Sequence, residues 1–360
     1  MSDAATSAAP SPNPPANALT TRKVPLRERI PVISQLLLSV GLQRGMLVVG
    51  LVITAIFIIT AIFAPLIAPY GYAQRGVDGV DFGTTQPPNP INLLGTTVSG
   101  FDVLSRTIWG AQTAILVIIA AVAFSIFLGI FLGLVSGYFG GWLDRVLVVI
   151  CDAIYAFPSL LLAIVMSIVI SKGQSTLVGG ILSAAIAITV VFVPQYFRVI
   201  RAEVVRVKAE PFVESARVIG VPTARILVRH VLRNSTRSLP VVVTLNASEA
   251  LLTLAGLGFL GFGIEPTAAA EWGYDLNRSV ADVSSGVWWT AVPPGLAIVL
   301  VVLGITLVGE SLNDLSDPRL RRRRSAAKSA KAAKKDAAHG ASGTPIASGP
   351  SPVPTAGGAS

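Results

Sequence analysis

Two uncharged runs constrain this chain more than anything else in it: residues 45–74, between Arg44 and Arg75, and residues 107–143, from Thr107 to Leu143. A helix rises 1.5 Å per residue, so about 20 apolar residues cross the hydrocarbon core of a bilayer. Both runs exceed that length. Their natural spans are Met46–Ala64, stopped by Pro65 and Pro69, and Ala111–Ser136. Four further windows follow: Ala153–Ser171, Leu177–Phe197, Ser238–Ile264 interrupted only by Glu249, and Val283–Gly309, whose helix is expected to begin near Pro293 and Pro294. Only 13% of the residues are charged, where soluble domains carry about 25%. Lipid is therefore the expected solvent, and the expected fold class is an all-α polytopic membrane protein of six transmembrane helices.

Loop charge orients those spans, because Lys and Arg collect on the cytoplasmic side. Arg22, Lys23, Arg27, Arg29 and Arg44 precede the first span, and the stretch 198–237 holds nine basic residues. By contrast, 65–110 and 265–290 carry Arg75, Arg106 and Arg278 against Asp78, Asp81, Asp102, Glu265, Glu271, Asp275 and Asp282. Six spans with both termini inside place every basic stretch in the cytoplasm and both acidic stretches outside. The expected organisation is an N-terminal segment 1–45, a six-helix transmembrane body 46–312 and a tail 313–360. The body would hold outer loops 65–110 and 265–290 and the inner loop 198–237.

The net charge of +9 sits almost wholly in the tail: residues 319–360 carry nine Lys and Arg and one acid, a net of +8. Arg321–Arg324 follow directly on a span, where anionic lipid headgroups are the expected partner and nucleic acid is not. Residues 1–20 and 325–360 are rich in Ala, Ser, Pro and Gly and bury too little apolar surface to order themselves. The first 21 residues lack a positive start and an apolar core, so a cleaved signal peptide is not expected.

Several chemistries are excluded. Cys151 is the single cysteine, and His230 and His339 stand far apart, which removes disulfide frameworks and paired-histidine metal sites. A phosphate-binding loop ends in Gly-Lys-Ser or Gly-Lys-Thr. None of the seven lysines follows a glycine, and no GxSxG occurs. The chain reads as no enzyme, and ATP hydrolysis, if it drives this chain, belongs to another subunit.

The inner loop 198–237 is long enough to have structure. Pro211 suits the first turn of a helix and Glu214 its positive end. Phe212, Val213, Ala216 and Ile219 form an apolar stripe. Gly220 stands where a left-handed terminator is wanted. After Pro222, Thr223 is expected to cap a second helix in which Arg225, Arg229, Arg233 and Arg237 recur every four residues. A short helix, a glycine turn and a basic helix make a knob suited to another protein's groove.

At these residues the chain resembles a known family. Glu214-Ser215-Ala216, three residues, Gly220, nine residues and His230-Val231-Leu232 follow the EAA motif of permeases of binding-protein-dependent ABC importers. Leu93-Leu94-Gly95-Thr96, Asp102, Ser105-Arg106 and Gly110 resemble the outer pattern of the dipeptide, oligopeptide and nickel branch. So do Gly137–Gly141, Asp144-Arg145, Asp152, Phe157-Pro158-Ser159, Glu249, Gly258–Gly263, Trp272-Gly273, Pro294-Gly295 and Asp314–Arg319. The chain departs from that pattern at Ser215, usually Ala, at Arg233, usually Pro, and at Thr97, Phe101 and Gln112. The resemblance implies that Phe212, Glu214, Ser215, Ala216, Arg217, Gly220 and His230 couple to a cytoplasmic ATPase through an EAA-type coupling loop between helices 4 and 5. It also implies a second homologous permease, a pair of ATPase subunits that bind ATP and Mg, and an extracytoplasmic substrate-binding protein at a bacterial plasma membrane. No cofactor or metal is expected in this chain.

Within the spans, charges mark function by default. Glu249 lies eleven residues past Ser238, near mid-bilayer, and is read as facing the pathway or a helix seam. Asp152 either reaches the inner interface, pairs with Arg145 or lines the pathway. Pro158 is expected to kink the third span. Gly129, Gly133 and Gly137 recur every four residues, a seam either within the chain or towards a second subunit. Peptides are the cargo the resemblance suggests, with nickel or another small solute as alternatives. Two rival classes remain: a gradient-driven secondary transporter with Glu249 as its proton site, and a membrane-anchored scaffold recruiting partners through its basic tail.

Overall fold

The computed structural model describes residues 42–171, 177–236 and 238–316. The expected N-terminal segment (apart from its last few residues), most of the tail with Arg321–Arg324, and Arg237 lie outside the described residues. What is described is helical apart from one small hairpin, Gly76–Val77 (β1) with Val80–Asp81 (β2). The long helices are α1 (Leu42–Ile67), α2 (Val103–Phe139), α5 (Leu177–Lys208), α9 (Leu239–Phe259) and α11 (Val292–Ser316). Between them stand the pair α3 (Gly141–Tyr155) and α4 (Ser159–Ser171), the short α6 (Pro211–Val218), α7 (Thr223–Arg225) and α8 (Arg233–Ser235), and the outer α10 (Trp272–Ser284).

Five helices are long and apolar enough to cross a membrane, and there are six crossings if α3 and α4 are counted as one broken span. The third window is thus corrected in form. The chain does not kink there but breaks, and α3 and α4 meet at 97°. The cause is local. Pro158 cannot donate to a helical ladder and restricts Phe157 before it, so α3 ends at Tyr155 and α4 starts at Ser159.

α2 and α5 form the most extensive helix pair, while α11 joins α1 to α9. The glycine stripe of α2 explains the first contact. A Cβ on Gly133 would lie 2.9 Å from Ile200 Cβ, and one on Gly137 would lie 2.8 Å from Val204 Cγ1; at Gly129 the obstruction is Tyr196. The seam is therefore intrachain, and the backbones close because the side chains are absent. Val117, Ile188, Phe192, Tyr196, Ile200 and Val204 are fully buried along it. The opposite face of α2 exposes Ile119, Phe127 and Phe131, and α1 exposes Ile56, Ile59 and Ile62. Aliphatic and aromatic faces like these suit lipid or another span, not water.

The stretch 265–290, expected as loop, contains α10, which lies against α9. Glu271 caps it, accepting from the backbone N–H groups of Gly273 and Tyr274, both at 2.8 Å. Asp102 does the same for α2, accepting from Ser105 N at 2.7 Å. Arg106, 2% exposed, donates from Nε to both carboxylate oxygens of Asp275 at 2.8 and 2.9 Å and from Nη1 to Tyr72 O at 2.9 Å. A bidentate Arg–carboxylate pair is the strongest of charge-assisted contacts. It ties the start of α2 to α10. Asp102, Glu271 and Asp275 are therefore structural and turned inward, whereas Asp78, Asp81 and Glu265 of the same stretches are exposed.

Candidate functional site: the coupling loop and the α3–α5 cavities

The inner loop is built around one short helix. α5 ends at Lys208, and Glu210 takes an extended conformation before Pro211 opens α6. Pro at that position loses no intrahelical hydrogen bond and is already at helical φ. Glu214 occupies the first turn, where the helix dipole favours an anion. Gly220 closes α6 at φ +78°, a conformation that costs any residue with a Cβ. Its N–H donates to Arg217 O at 3.0 Å and Val221 N–H to Ala216 O at 3.0 Å. This paired closure satisfies the last carbonyls of the helix.

The expected stripe is split in two. Val213 and Ala216 are buried against Ile226, Leu227 and Val231, whereas Phe212 is 43% and Ile219 78% exposed. One pair fastens the knob, and the other is presented outwards with Val218, which is 82% exposed. Glu214 and Arg217 are also exposed, and Glu214 has no ion-pair partner among the described residues. Ser215, where the family pattern usually has Ala, donates its hydroxyl to Pro211 O at 2.9 Å and so fits the helix without a buried loose end. His230 is half-buried, with its ring 6.4 Å from that of Phe212.

Two details differ from expectation. Thr223 does not cap the second helix; Pro222 holds the N-terminal position and Thr223 is the first helical residue. And the second helix is not regular: Ile226–Leu232 is a π-helical turn between α7 and α8. The four-residue spacing of arginines therefore does not describe one straight face. Such π turns are uncommon and cluster at functional positions.

A connection from the knob to the transmembrane body was not legible beforehand. Arg217 stacks over the Tyr138 ring at 5.3 Å, and Lys208 sits over the same ring at 5.5 Å while donating to Tyr138 O. Tyr138 is the penultimate residue of α2, so the knob, the end of α5 and the end of α2 meet at one aromatic ring.

The other candidates lie along the α3–α5 groove. Asp152 pairs with Arg198 at 2.9 Å, not with Arg145, and both are more than half exposed. Two turns away, Asp144 accepts from Arg201 Nε at 2.6 Å and Nη2 at 2.7 Å and from the Ser136 hydroxyl. Arg198 and Arg201 were not singled out from the sequence as partners of these acids. Their signal was a pair of acids eight residues apart on one helix facing two arginines three apart on another, one helix face in each case. A cavity of about 500 Å³ opens beside Asp152, Tyr155, Arg198 and Arg201. A second, of about 270 Å³, is lined by Tyr155, Phe157, Ser159, Gln195 and Glu249. Tyr155 borders both. Asp152 and Glu249 thus occupy neighbouring cavities, not one, and Pro158 sits at the helix break beside Glu249's cavity.

Comparison with known proteins places this geometry. Residues 129–322 match the binding-protein-dependent transport system inner membrane component family, and residues 42–88 match the N-terminal transmembrane domain of oligopeptide transport permease C. The chain is 36% identical over 313 residues to the dipeptide transport system permease protein DppC of Alkalihalophilus pseudofirmus, covering 87% of this chain and 96% of that one. It is 35% identical over 280 residues to the glutathione transport system permease protein GsiD of Escherichia coli O157:H7, covering 78% and 88%. The GsiD of Shigella boydii aligns to the same extent. With apolar helices built to span, a protruding inner knob and relatives of this extent, the chain belongs to the inner-membrane permeases of binding-protein-dependent ABC importers.

Proposed function

We propose that the chain forms half of the translocation pathway of an ATP-driven peptide importer and receives force through the knob around residues 211–222. The proposed topology is six spans with α3 and α4 as one broken crossing, both termini cytoplasmic, and the coupling loop between the fourth and fifth spans. Residues 46–312 are the permease body, and the segments before and after it are cytoplasmic. The observation that carries this reading is the split face of α6. Val213 and Ala216 anchor the knob while Phe212, Val218 and Ile219 stand exposed beside Glu214 and Arg217. Apolar side chains exposed on a cytoplasmic projection call for a partner groove.

Phe212, Glu214, Ser215, Arg217, Gly220 and His230 are the proposed contact with one ATPase subunit, and the buried Ala216 anchors the helix that presents them. ATP and Mg bind to that subunit and its twin, and closure of the pair moves the knob. Tyr138, gripped by Arg217 and Lys208, passes the movement to α2 and α5, and the π turn at Ile226–Leu232 gives the return helix a place to yield. A second, homologous permease encloses the other side of the conduit, lipid surrounds both, and an external binding protein delivers cargo. Peptides are the proposed cargo because the relatives are named for dipeptides and glutathione.

The test is uptake of a labelled dipeptide into proteoliposomes holding both permeases, both ATPases and the binding protein. Uptake that persists with a protonophore and stops when the ATPase phosphate-loop lysine is replaced supports the proposal. Uptake abolished by the protonophore with ATP still present overturns it in favour of a gradient-driven carrier.

A further inference from the structure

The carboxylate of Glu249 is the one acidic group within α9, near the helix middle, and it makes no ion pair or side-chain hydrogen bond among the described residues. Its neighbours on the helix do not supply one; Thr253 Oγ1 donates to Glu249's backbone carbonyl, not to its side chain. A carboxylate held at that depth is costly unless water or a cation reaches it. The cavity of about 270 Å³ in front of it supplies the access, at the lower end of ligand-sized volumes. Its lining combines the apolar Phe157, Leu162 and Val191 with Glu249, Gln195, Ser159 and Tyr155, and polar groups make up the larger share of its exposed wall. Polar groups placed in a cavity fix the orientation of a solute there.

The cavity also continues. Gln195 and Arg198 are one turn apart on α5, and Tyr155 and Asp152 are one turn apart on α3, so the adjoining cavity of about 500 Å³ is the next step along the same groove. Its one lining acid, Asp152, is matched by Arg198, and Arg201 on its wall is matched by Asp144 of the same helix α3. Along this groove the unmatched charge is the one at Glu249, and its sign is negative.

We propose that Glu249 recognises the free ammonium group of the peptide as it passes through the permease, with Gln195 and Tyr155 beside it as neutral hydrogen-bonding partners. This rests on the peptide-importer reading and adds to it a selectivity filter in the membrane, separate from the external binding protein. A cationic end meets the bare carboxylate and neutralises it; a peptide whose amine is blocked leaves Glu249 unpaired in the conduit.

The test uses the assembled importer in proteoliposomes with saturating, peptide-loaded binding protein. Glu249→Gln is expected to lower the uptake rate of a free-amine dipeptide by about tenfold or more, with Glu249→Asp restoring most of it. A transport-independent readout keeps the proposal falsifiable if the variant assembles poorly. In a Cys151→Ser background, Gln195→Cys should react faster with a trimethylammonium thiosulfonate than with a sulfonate one, and that preference should fall about tenfold on adding Glu249→Gln. Equal free-amine uptake in wild type and Glu249→Gln, or a charge preference unchanged by it, overturns the inference. Wild-type complex that fails to import any peptide with ATP overturns the importer reading instead.

Discussion

The α2–α10 junction and the knob of this molecule use charge in opposite ways. At the junction, Arg106 is sealed against Asp275, Glu271 and Asp102 cap helices, and Trp272 Nε1 donates to Thr107 O at 2.9 Å. Those polar groups hold α2, α9 and α10 together. At the knob, Glu214, Arg225 and Arg229 are exposed around a helix fastened by Val213, Ala216 and the Tyr138 contacts. Charge paired inside the chain makes a rigid frame; the charge at the knob lies on an exposed surface. The frame and the surface are joined through α2 and α5, which run from one end to the other.

The sharpest way to break the comparison is Asp275→Ala. It leaves the Arg106 guanidinium buried without its counter-ion, a loss of about 3–5 kcal/mol. The detergent-solubilised importer should yield far less folded permease and unfold at lower temperature. A variant as stable as wild type would mean that the outer frame does not depend on the pair. An exposed inner charge should behave otherwise: Arg225→Ala should leave thermal stability within about 0.5 kcal/mol of wild type.

A smaller effect tests the same frame through pH. Burial pushes the Glu271 carboxyl up to about 8, opposed by the N–H groups of Gly273 and Tyr274, with nearby Asp275 raising it further and Arg106 lowering it. A carboxyl raised in the folded state favours the protonated form. Its contribution to stability is whole below the free value of 4.5 and is lost as pH rises through 8. The melting temperature of the wild-type complex should therefore fall between about pH 5 and 8, and Glu271→Gln should flatten that fall. An equally steep fall in the variant would assign the pH dependence to other groups.

Much of this was legible in the sequence, and the reasons for what was not are physical. Long apolar windows gave the spans because hydropathy and length are local properties, and Pro211, Glu214 and Gly220 gave α6 because capping is local too. The break at Pro158 was read only as a kink, since a proline's effect depends on whether neighbouring helices hold the two halves in line. The partner of Asp152 was missed because α3 and α5 must be packed before Arg198 outranks Arg145. Arg106 and Asp275 are 169 residues apart, a separation no local pattern spans.

The central claim is that the knob carries force from an ATPase, and one variant tests it most directly. Gly220→Pro forbids the φ of +78° and deletes the N–H that closes α6, at about 3 kcal/mol or more against the folded knob. Co-purification of the ATPase subunits with the membrane-inserted permease pair should then fall roughly a hundredfold, while insertion and external binding-protein association remain. Normal ATPase association and ATP-driven uptake in that variant would contradict the account.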